Sequence, residues 1–342
     1  MSSIPTTMKA IEARSTSFSD LAPTELPVPA PKAGEILIRI KAASINYRDV
    51  VLVKGLYKPD IRFPFVPLSD GSGEVVALGE GVTRFRVGDA VVPVFVQGWS
   101  SGTPIPERRA SWTTGWPRTG MLQEYVAVPA DDAVQKPANL SHAEAATLPI
   151  AALTAWSALT RGGVKSGDTV LVEGTGGVAI FALQFARVFG ARVVAITSSD
   201  EKIARVKALG ADAAVNYKTT PEWAPAVRAT TGGRGVDIVV ETAGSTLPQA
   251  LESLAFGGYV GVVGFLGGLE TRLPIVPLIE LLLRIEGIAV GSRQQFEDMN
   301  RAIEATGIKP VVDQVIPFDK AADAFTLMER GGHFGKIVVG FA

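Results

Sequence analysis

A glycine-rich segment in the middle of the chain restricts its possible folds more than any other feature. Gly174–Ala179 stands between a run of branched apolar residues, Thr169–Glu173, and an apolar helical pattern, Val178–Phe189. In such a unit the first glycine permits a tight turn, the second lets a pyrophosphate approach the backbone, and a small third residue lets the helix pack on the strand. The free N–H groups at the helix start favour phosphate. The pattern predicts a dinucleotide site, the alternative being a turn that only reverses the chain. The predicted site residues are Gly174, Thr175, Gly176, Gly177 and Val178.

Strands and helices alternate around this segment. Apolar strands that alternate with helices are typical of a parallel, doubly wound sheet, and six strands is the full count for a dinucleotide-binding fold. The last helix of this alternation is predicted over Leu278–Arg284, and one or two more helices are predicted in the last ~50 residues. The predicted strands are Thr169–Glu173, Arg192–Thr197, Ala213–Val215, Val236–Glu241, Tyr259–Val263 and Gly287–Gly291.

The first ~130 residues are β-rich instead, because short branched runs are separated there by Gly and Pro. Tyr47–Lys54 is predicted as one short helix, and the prolines between residues 23 and 31 as an extended lead-in. The last ~50 residues hold a terminal strand, Lys336–Val339, and are too few for a separate domain. We therefore predict an α/β protein with one domain formed by residues 1–131 and 292–342 and a second formed by residues 132–291. The predicted strands of the first are Glu35–Lys41, Gly73–Leu78, Ala90–Val96 and Glu124–Val128.

Composition and charge exclude several function classes. The chain has 342 residues, of which 47% are hydrophobic, so two domains with sizeable cores are possible. Its 33 Lys and Arg against 34 Asp and Glu give no long-range attraction for nucleic acid or an anionic membrane. There are no cysteines, and His142 and His333 are the two histidines. Because a catalytic zinc usually takes three ligands from Cys, His, Asp and Glu, we expect no metal site.

No segment is typical of a targeting or membrane element. The apolar window Ile275–Ile288 contains Glu280, Arg284 and Glu286. It is also shorter than the ~20 apolar residues that a spanning helix needs. The N-terminus is short and polar. We therefore expect a soluble, cytoplasmic protein.

The end of the second predicted strand bears on the choice of dinucleotide. A site for NAD places Asp or Glu about 20 residues after the turn, on the adenosine ribose. This chain has Thr197, Ser198 and Ser199 there, followed by Asp200, with Lys202 one turn into the next helix. Hydroxyls and a lysine suit a 2′-phosphate, so NADPH is favoured over NADH. In the alternative, Ser199 caps the helix, Asp200 stabilises its start and Lys202 is solvated.

The stretch from residue 98 to residue 120 has no clear period. One interpretation is a long surface loop held by aromatic packing. The other is a substrate lid or a subunit contact, since loops of this length are often functional. Its aromatic and basic residues are Trp99, Trp112, Trp116, Arg108, Arg109 and Arg118.

Several short motifs occur in a fixed order along nearly the whole chain. They are Ser44–Asp49, Gly55–Tyr57, Gly71–Val76, Val87–Asp89, Ala145–Pro149, Leu153–Trp156, the glycine turn, Ala208–Asp212 and Asn216–Tyr217. In this order and spacing they resemble the medium-chain dehydrogenases/reductases, specifically the zinc-independent quinone oxidoreductase branch. The resemblance implies a GroES-like catalytic domain and a Rossmann domain, NADP(H) as cofactor, and a homodimer.

The resemblance also implies roles for single residues on the nicotinamide side. Asn46 and Tyr57 face the nicotinamide and the substrate, and Thr154 lies near the nicotinamide end. From the residues alone, the alternative for Tyr57 is a tyrosine packed in a turn, and for Asn46 a side chain that stabilises a turn. In zinc alcohol dehydrogenases of this superfamily a cysteine ligand falls where this chain has Asn46, and a histidine ligand where it has Ser69. The resemblance therefore agrees with the absence of cysteine.

Further residues are assigned to the cofactor by the same resemblance. Lys202 and Tyr217 flank the adenosine 2′-phosphate. The backbone after the fifth strand of the sheet lines the cofactor, at Phe265, Leu266 and Gly267.

Chemistry without a metal restricts the reaction. Hydride addition to an enone or a quinone gives an oxygen whose charge is spread, and hydrogen-bond donors suffice to stabilise it. Tyr57 and Asn46 are neutral donors of this kind. We therefore predict an NADPH-dependent reductase of quinones or activated C=C bonds that acts on a small molecule. Two alternatives stay open, an alcohol dehydrogenase or carbonyl reductase working without zinc, and a nucleotide-binding protein without turnover.

Overall fold

The structure is a computed structural model that describes residues 4–58 and 60–341, without the side chains of residues 108–110. The strands in chain order are β1 Thr7–Ala13, β2 Leu21–Pro27, β3 Glu35–Ser44, β4 Asp70–Leu78, β5 Ala90–Pro93, β6 Tyr125–Pro129, β7 Ala133–Gln135, β8 Thr169–Glu173, β9 Arg192–Thr197, β10 Ala213–Asn216, β11 Val236–Glu241, β12 Leu254–Val262, β13 Arg284–Gly287, β14 Val312–Pro317 and β15 Lys336–Gly340. The helices are α1 Tyr47–Val53, α2 Pro106–Ser111, α3 His142–Ala145, α4 Leu153–Gly162, α5 Gly177–Val188, α6 Asp200–Ala208, α7 Trp223–Ala229, α8 Leu247–Ser253, α9 Ile275–Glu280, α10 Arg293–Thr306 and α11 Ala321–Arg330.

The chain divides into two compact units, one within Met1–Ile150 and Gly291–Ala342 and the other within Ala151–Val290. The first unit is β-rich. Over its described residues, its main sheet has the order β14-β15-β3-β4-β5-β7, and β6 pairs with β3 as well. The core of this unit is formed by inward-facing apolar residues of β3, β6 and β15, and helix α11 packs against them. Because β15 pairs with β3, the end of the chain lies beside the residues that lead into α1.

The second unit is the doubly wound parallel sheet that the alternation of strands and helices predicts. Its order over the described residues is β10-β9-β8-β11-β12-β13, and every neighbouring pair is parallel. All five residues of β8 are buried, as expected for a strand covered on both faces. The order reverses between β8 and β11, so the crevice at their carboxyl ends is the place where such sheets bind ligands. The predicted fold class is therefore confirmed.

Two element predictions at the end of this unit are wrong. Helix α9 covers Ile275–Glu280, earlier than the predicted Leu278–Arg284, and β13 covers Arg284–Gly287, not Gly287–Gly291. Pro277 lies in the first turn of α9, where its missing N–H costs no hydrogen bond, so the helix starts before it. Leu282 then adopts a φ of 51°, which ends the helical path and starts the strand earlier.

The proline-containing segment near the N-terminus is extended, as predicted, and part of it is a paired strand. Leu21–Pro27 forms strand β2, antiparallel to β1 in a two-stranded sheet. Pro23 and Pro27 are tolerated because β2 is an edge strand, paired over the described residues with β1 alone.

The division between the units differs from the predicted domain boundary, because residues 132–150 belong to the first unit. Strand β7 pairs with β5, and α3 packs on β3 and β4. At the end of this segment the Ile150 N–H donates to Asp70 Oδ2 at 3.3 Å. None of the helices formed by residues 4–58 and 60–341 combines the length and hydropathy needed to cross a bilayer.

Candidate functional site

Asn46 lies at the junction between β3 and α1, and its side chain belongs to a buried hydrogen-bond network. Its backbone N–H donates to Asp49 Oδ2 at 2.8 Å, which stabilises the helix start. Its amide instead reaches two other elements: Oδ1 accepts from Lys336 Nζ at 2.6 Å, and Nδ2 donates to Asp70 Oδ2 at 2.9 Å. The orientation of the amide is thereby fixed, and one N–H of Nδ2 is left for a further acceptor.

Lys336 is the first residue of β15 and is only 3% exposed. Its ammonium also donates to the Ile45 carbonyl oxygen at 2.7 Å. Burial lowers the pKa of Lys336 to about 8, against the charges of Asp70 and Asp49, which raise it. Lys336 is not among the predicted site residues, although a lysine at the start of a run of branched apolar residues is itself a signal of a buried, paired cation.

Two buried carboxyls face this cation. Burial raises the pKa of the Asp70 carboxyl to about 7, although the Lys336 ammonium and the Asn46 amide favour its charged form. Burial also raises the pKa of Asp49, against the charge of Arg48. Asp70 Oδ1 has no hydrogen-bond partner among the described residues. A proton can therefore reside on Asp70 near neutral pH, beside the amide of Asn46.

Ser69 and Arg48 extend the network towards the stretch 98–120. The Ser69 hydroxyl donates to Asp49 Oδ1 at 2.6 Å and accepts from Arg48 Nη1 at 2.6 Å. The same guanidinium donates to the carbonyl oxygens of Thr114 at 3.2 Å and Trp116 at 2.9 Å, and to Thr113 Oγ1 at 3.1 Å. Arg48 therefore fastens residues 113–116 to α1.

Aromatic side chains also hold residues 98–120 in place, which agrees with the interpretation of this stretch as a surface loop held by aromatic packing. The Trp116 ring packs edge-on against Phe65 with centroids 5.7 Å apart, and Trp99 is buried. The Arg118 guanidinium carbon lies 4.8 Å from the Trp112 ring centroid. Between these anchors the chain forms α2, and the side chains of Arg108 and Arg109 lie outside the described residues.

The residues at the two positions where zinc ligands fall in related dehydrogenases do not fit a zinc centre. Asn46 Oδ1 is taken by an ammonium, and Ser69 Oγ lies between a guanidinium and a carboxylate. Zinc sites are built from thiolate, imidazole and carboxylate ligands without a cation at the ligand atoms. Among the described residues, no three His, Asp or Glu side chains are grouped so that they could hold a metal ion.

Tyr57 lies on the turn after α1 and is 37% exposed. Gly55 shapes this turn with a φ of 68°, a conformation that favours glycine. The guanidinium carbon of Arg48 is 5.8 Å from the Tyr57 ring centroid. Arg48 thus contacts both Tyr57 and the Ser69–Asp49 side of the buried network, and the first unit brings Asn46 and Tyr57 to the two ends of one short helix.

The glycine turn of the second unit leaves room above the start of α5. Gly174 has a φ of 80°, so the backbone itself requires glycine there. Gly176 caps α5 with an ordinary φ of −75°, and a Cβ at either position would meet nothing within 4 Å. Since neither the backbone conformation nor packing demands glycine at Gly176, the open space there fits the approach of a pyrophosphate.

The residues proposed for the adenosine end lie together at the carboxyl ends of β9 and β10. Ser199 caps α6, its Oγ accepting from the Lys202 N–H at 3.3 Å. Asp200 accepts from Asn216 Nδ2 at 2.8 Å, and the Tyr217 N–H donates to the Thr197 carbonyl oxygen at 2.9 Å. Ser199 therefore caps α6, as in the alternative given for this segment, and the Asp200 carboxylate is turned towards Asn216.

The hydroxyls of this segment differ in exposure. Thr197 is fully buried, and its Oγ1 has no hydrogen-bond partner among the described residues. Ser198 is half-buried. Ser198 is consequently better placed than Thr197 to meet a ligand from solvent.

The other predicted cofactor residues lie on α4 and after β12. Thr154 is buried in α4, directly after a single π-helical turn, Leu148–Ala152, and such turns are frequent at functional sites. Phe265 and the exposed Leu266 follow β12, and the Gly267 N–H donates to the Ala243 carbonyl oxygen at 2.7 Å.

Gly267 packs tightly against the turn after β11. A Cβ on Gly267 would lie 2.0 Å from Ser245 Oγ and 2.9 Å from Ser245 Cβ, so any other residue here would force the Ser245 side chain to move. The predictions also missed Glu173 and Glu241, two buried carboxyls that end β8 and β11. A charged residue closing each of two apolar strands was the signal available for them.

Two family models match this chain. The model of the alcohol dehydrogenase GroES-like domain matches residues 32–138, and that of zinc-binding dehydrogenases matches residues 177–305. A relative from Schizosaccharomyces pombe, named zinc-type alcohol dehydrogenase-like protein C1773.06c, is 43% identical over 95% of this chain and 96% of its own length.

Two further similar proteins carry names that specify a substrate or a cofactor. The 2-methylene-furan-3-one reductase of Solanum lycopersicum is 34% identical over 98% of this chain and 80% of its own length. A solved structure described as an NAD-dependent alcohol dehydrogenase superposes with a TM-score of 0.89 and 38% identity, covering 98% of this chain and 100% of that one. Sequence and fold agree over nearly the entire length, and we conclude that the chain is an oxidoreductase of the medium-chain dehydrogenase/reductase superfamily.

Proposed function

We propose that this protein is a zinc-independent, NADPH-dependent reductase of quinones or activated C=C bonds in enones and enals. The observation that carries the proposal is the Lys336–Asn46–Asp70 network, in which an ammonium binds the side chain at the position of a zinc ligand. A site of this kind offers hydrogen-bond donors but no Lewis acid for an alkoxide. It suits acceptors whose developing charge is delocalised.

The residues of the first unit supply orientation and polarisation. Asn46 has one amide N–H beyond the bond to Asp70, and Tyr57 presents a hydroxyl on an exposed turn. Both are neutral donors for the oxygen of an enone or quinone, and Tyr57 or water delivers the proton that completes the reduction. A bound nicotinamide cofactor supplies the hydride, and the protein holds the acceptor in line for it.

The preference for NADPH rests on the residues around the start of α6. Ser198 and Lys202 offer a hydroxyl and a cation to a 2′-phosphate, with Tyr217 beside them. The engagement of Asp200 by Asn216 supports this preference, because a carboxylate turned aside repels the phosphate less. NADH is the second candidate cofactor, favoured by the name of the NAD-dependent structural relative.

A second candidate function is a carbonyl reductase or alcohol dehydrogenase that works without zinc. It is favoured by the names of the S. pombe relative and of the structural relative, both of which are alcohol dehydrogenase names. The name of the tomato enzyme, by contrast, specifies a 2-methylene-furan-3-one, which carries an activated C=C bond. The name therefore supports the first candidate.

The test is a panel assay that measures oxidation of NADPH and of NADH with quinones, enones, enals, ketones and aldehydes, and the reverse reaction with simple alcohols. Turnover of enones or quinones after chelator treatment is the expected result. Selective turnover of alcohols and ketones would favour the second candidate. Saturable nucleotide binding without turnover of any acceptor in the panel would indicate a nucleotide-binding protein that is not an enzyme.

A homodimer is proposed as the form of the protein. Strand β13 is the outer strand of the second unit's sheet over the described residues, and the nearby α9 exposes Ile275, Val276 and Ile279. An apolar surface beside an open sheet edge suits a second copy of the chain, which covers both. Sedimentation equilibrium at several protein concentrations checks this, and a monomer at all of them would contradict it.

A further inference from the structure

Two buried carboxyls lie side by side where the order of the second unit's sheet reverses. Glu173 ends β8 and Glu241 ends β11, and these strands are neighbours, with Val172 opposite Val240. Glu173 is 3% exposed and Glu241 is fully buried. The glycine turn that opens α5 follows Glu173 directly, and the turn that contacts Gly267 follows Glu241.

The hydrogen bonds around the pair require a proton on one of the two carboxyls. Thr246 Oγ1 is 2.7 Å from Glu173 Oε2 and also 2.7 Å from Glu241 Oε1. A hydroxyl has a single hydrogen, so it can donate to one of these oxygens only, and the other contact needs a carboxylic O–H that donates to the hydroxyl.

The backbone indicates which carboxyl is ionised. Glu241 Oε1 accepts from the N–H groups of Ala243 at 3.0 Å and Gly244 at 2.6 Å, and such bonds favour a carboxylate. One backbone group, that of Thr242, favours the charged form of Glu173, against two at Glu241, so the proton resides on Glu173. Burial, and next the negative charge of Glu241, raise the pKa of the Glu173 carboxyl to about 8, so the proton is held at neutral pH.

Other charged groups on the surrounding elements lie away from the pair. The pair lies at the carboxyl ends of β8 and β11. The other charged residues of these strands and of the elements packed against them lie instead near the amino ends of the strands or in the last turns of the helices. These residues are Arg161 of α4, Arg187 of α5, Arg192 of β9, Asp237 of β11 and Glu252 of α8. Glu241 is consequently the charged group that governs Glu173.

We propose that Glu173 and Glu241 are positioning residues that share one proton, and that this proton joins the two turns that receive the nicotinamide cofactor. Loss of the proton to solvent leaves two adjacent buried carboxylates, which repel each other and add negative charge near the cofactor phosphates. Cofactor affinity is then linked to pH through a group that does not touch the reacting atoms. This inference rests on the proposed function, because it requires that the chain binds such a cofactor.

The experiment measures the dissociation constants of NADPH and of NADH from about pH 6.5 to about pH 9.5, by nucleotide fluorescence. For the wild-type protein we expect a loss of about tenfold in affinity across this range for both nucleotides. Glu173→Gln retains a donor group in place of the carboxylic O–H and cannot ionise, so its affinity should stay near the neutral wild-type value throughout. Glu252→Gln, an exposed change in the same unit, should keep the wild-type profile.

The measurement with NADH distinguishes a pH effect of the carboxyl pair from one of the 2′-phosphate, because only NADPH carries that phosphate. A second measurement does not depend on the variant: calorimetric titration of the wild type at about pH 8.5 in two buffers of different ionisation enthalpy should show proton uptake on binding. Identical pH profiles for wild type and Glu173→Gln, or binding without proton uptake, would overturn the inference and leave the proposed function intact. Absence of nucleotide binding at every pH would overturn both.

Discussion

Lys336 Nζ lies 2.6 Å from Asn46 Oδ1, although 290 residues separate them in the chain. The pairing of β15 with β3 creates this contact, since it places the start of the last strand beside the residues that follow β3. The contact fixes the Asn46 amide so that its N–H groups, and not its oxygen, point away from the cation. Within the first unit, the C-terminal strand thus sets the donor character of Asn46.

Removal of the Lys336 ammonium should destabilise the first unit strongly. Lys336→Met leaves Asp70 and Asp49 without their buried cation, and breaking a buried pair from one side costs about 3–5 kcal/mol. The double change Lys336→Met with Asp70→Asn should recover part of this loss, because the uncompensated carboxylate is gone. Urea denaturation measures the free energies of unfolding, with the exposed Lys320→Met as control. A loss as small as that of the control would contradict the pairing.

Tyr57→Phe tests the proposed hydroxyl donor while it keeps the ring near Arg48. Loss of one oxyanion donor costs about 10²–10³ in kcat, and an exposed donor that water can replace should cost less, about tenfold. The reduction should appear in kcat with an enone, less with a quinone, and the dissociation constant of NADPH should not change. Steady-state kinetics with one acceptor of each type checks this, and Tyr125→Phe, in a buried cluster of the same unit, is the matched control. Unchanged kcat for both acceptors would remove Tyr57 from the mechanism.

Lys202→Ala tests the assignment of the 2′-phosphate. We expect the binding of NADPH to weaken by about 1–2 kcal/mol and that of NADH to stay nearly unchanged, because only the former carries the phosphate. Lys207→Ala, an exposed change in the last turn of the same helix, should affect neither. Equal losses for both cofactors in Lys202→Ala, measured by fluorescence titration, would show that Lys202 does not read the phosphate.

The purified protein should contain no stoichiometric zinc, and incubation with EDTA should leave its activity unchanged. The physical reason is that the side chains at the expected ligand positions are held by Lys336 and Arg48. Elemental analysis and activity before and after chelation are the measurements. About one zinc per chain, lost together with activity, would refute the expectation.

The Glu173 carboxyl should make stability depend on pH. Its pKa is raised from 4.5 to about 8 in the folded protein, so the unfolded chain releases a proton that the folded one retains. The free energy of unfolding should therefore fall as pH rises from about 4.5 to about 8. Glu173→Gln should show a smaller fall over the same range. Urea midpoints at the two ends of the range, compared between variant and wild type, check the difference; equal slopes would contradict it.

The sequence was sufficient to predict the parallel sheet because its signals are local. The turn at Gly174, the apolar strand before it and the helix after it adjoin in the chain, and each sets its own geometry. The position of Asn46 just before α1 also follows from local signals, because the helix that it precedes is predicted from adjoining residues. The failure at β13 is local too, since a proline inside a helix start shifted both elements.

The buried networks could not be predicted in this way, because each partner comes from a distant segment. Lys336 meets Asn46 only through the pairing of β15 with β3, and Asp70 meets it only through that of β4 with β3. Glu173 and Glu241 likewise become neighbours when β11 is placed beside β8. Strand order thus decides which polar residues meet.

Arg48 anchors the stretch 98–120 through main-chain carbonyls of Thr114 and Trp116, and through the hydroxyls of Ser69 and Thr113. A main-chain acceptor exists whatever side chain the residue carries. Substitution of Thr114 or Trp116 therefore leaves both of these carbonyl acceptors in place. A change of Arg48 removes the donor of all four bonds at once, so the attachment of residues 113–116 to α1 depends on the arginine more than on the side chains of the residues that it holds.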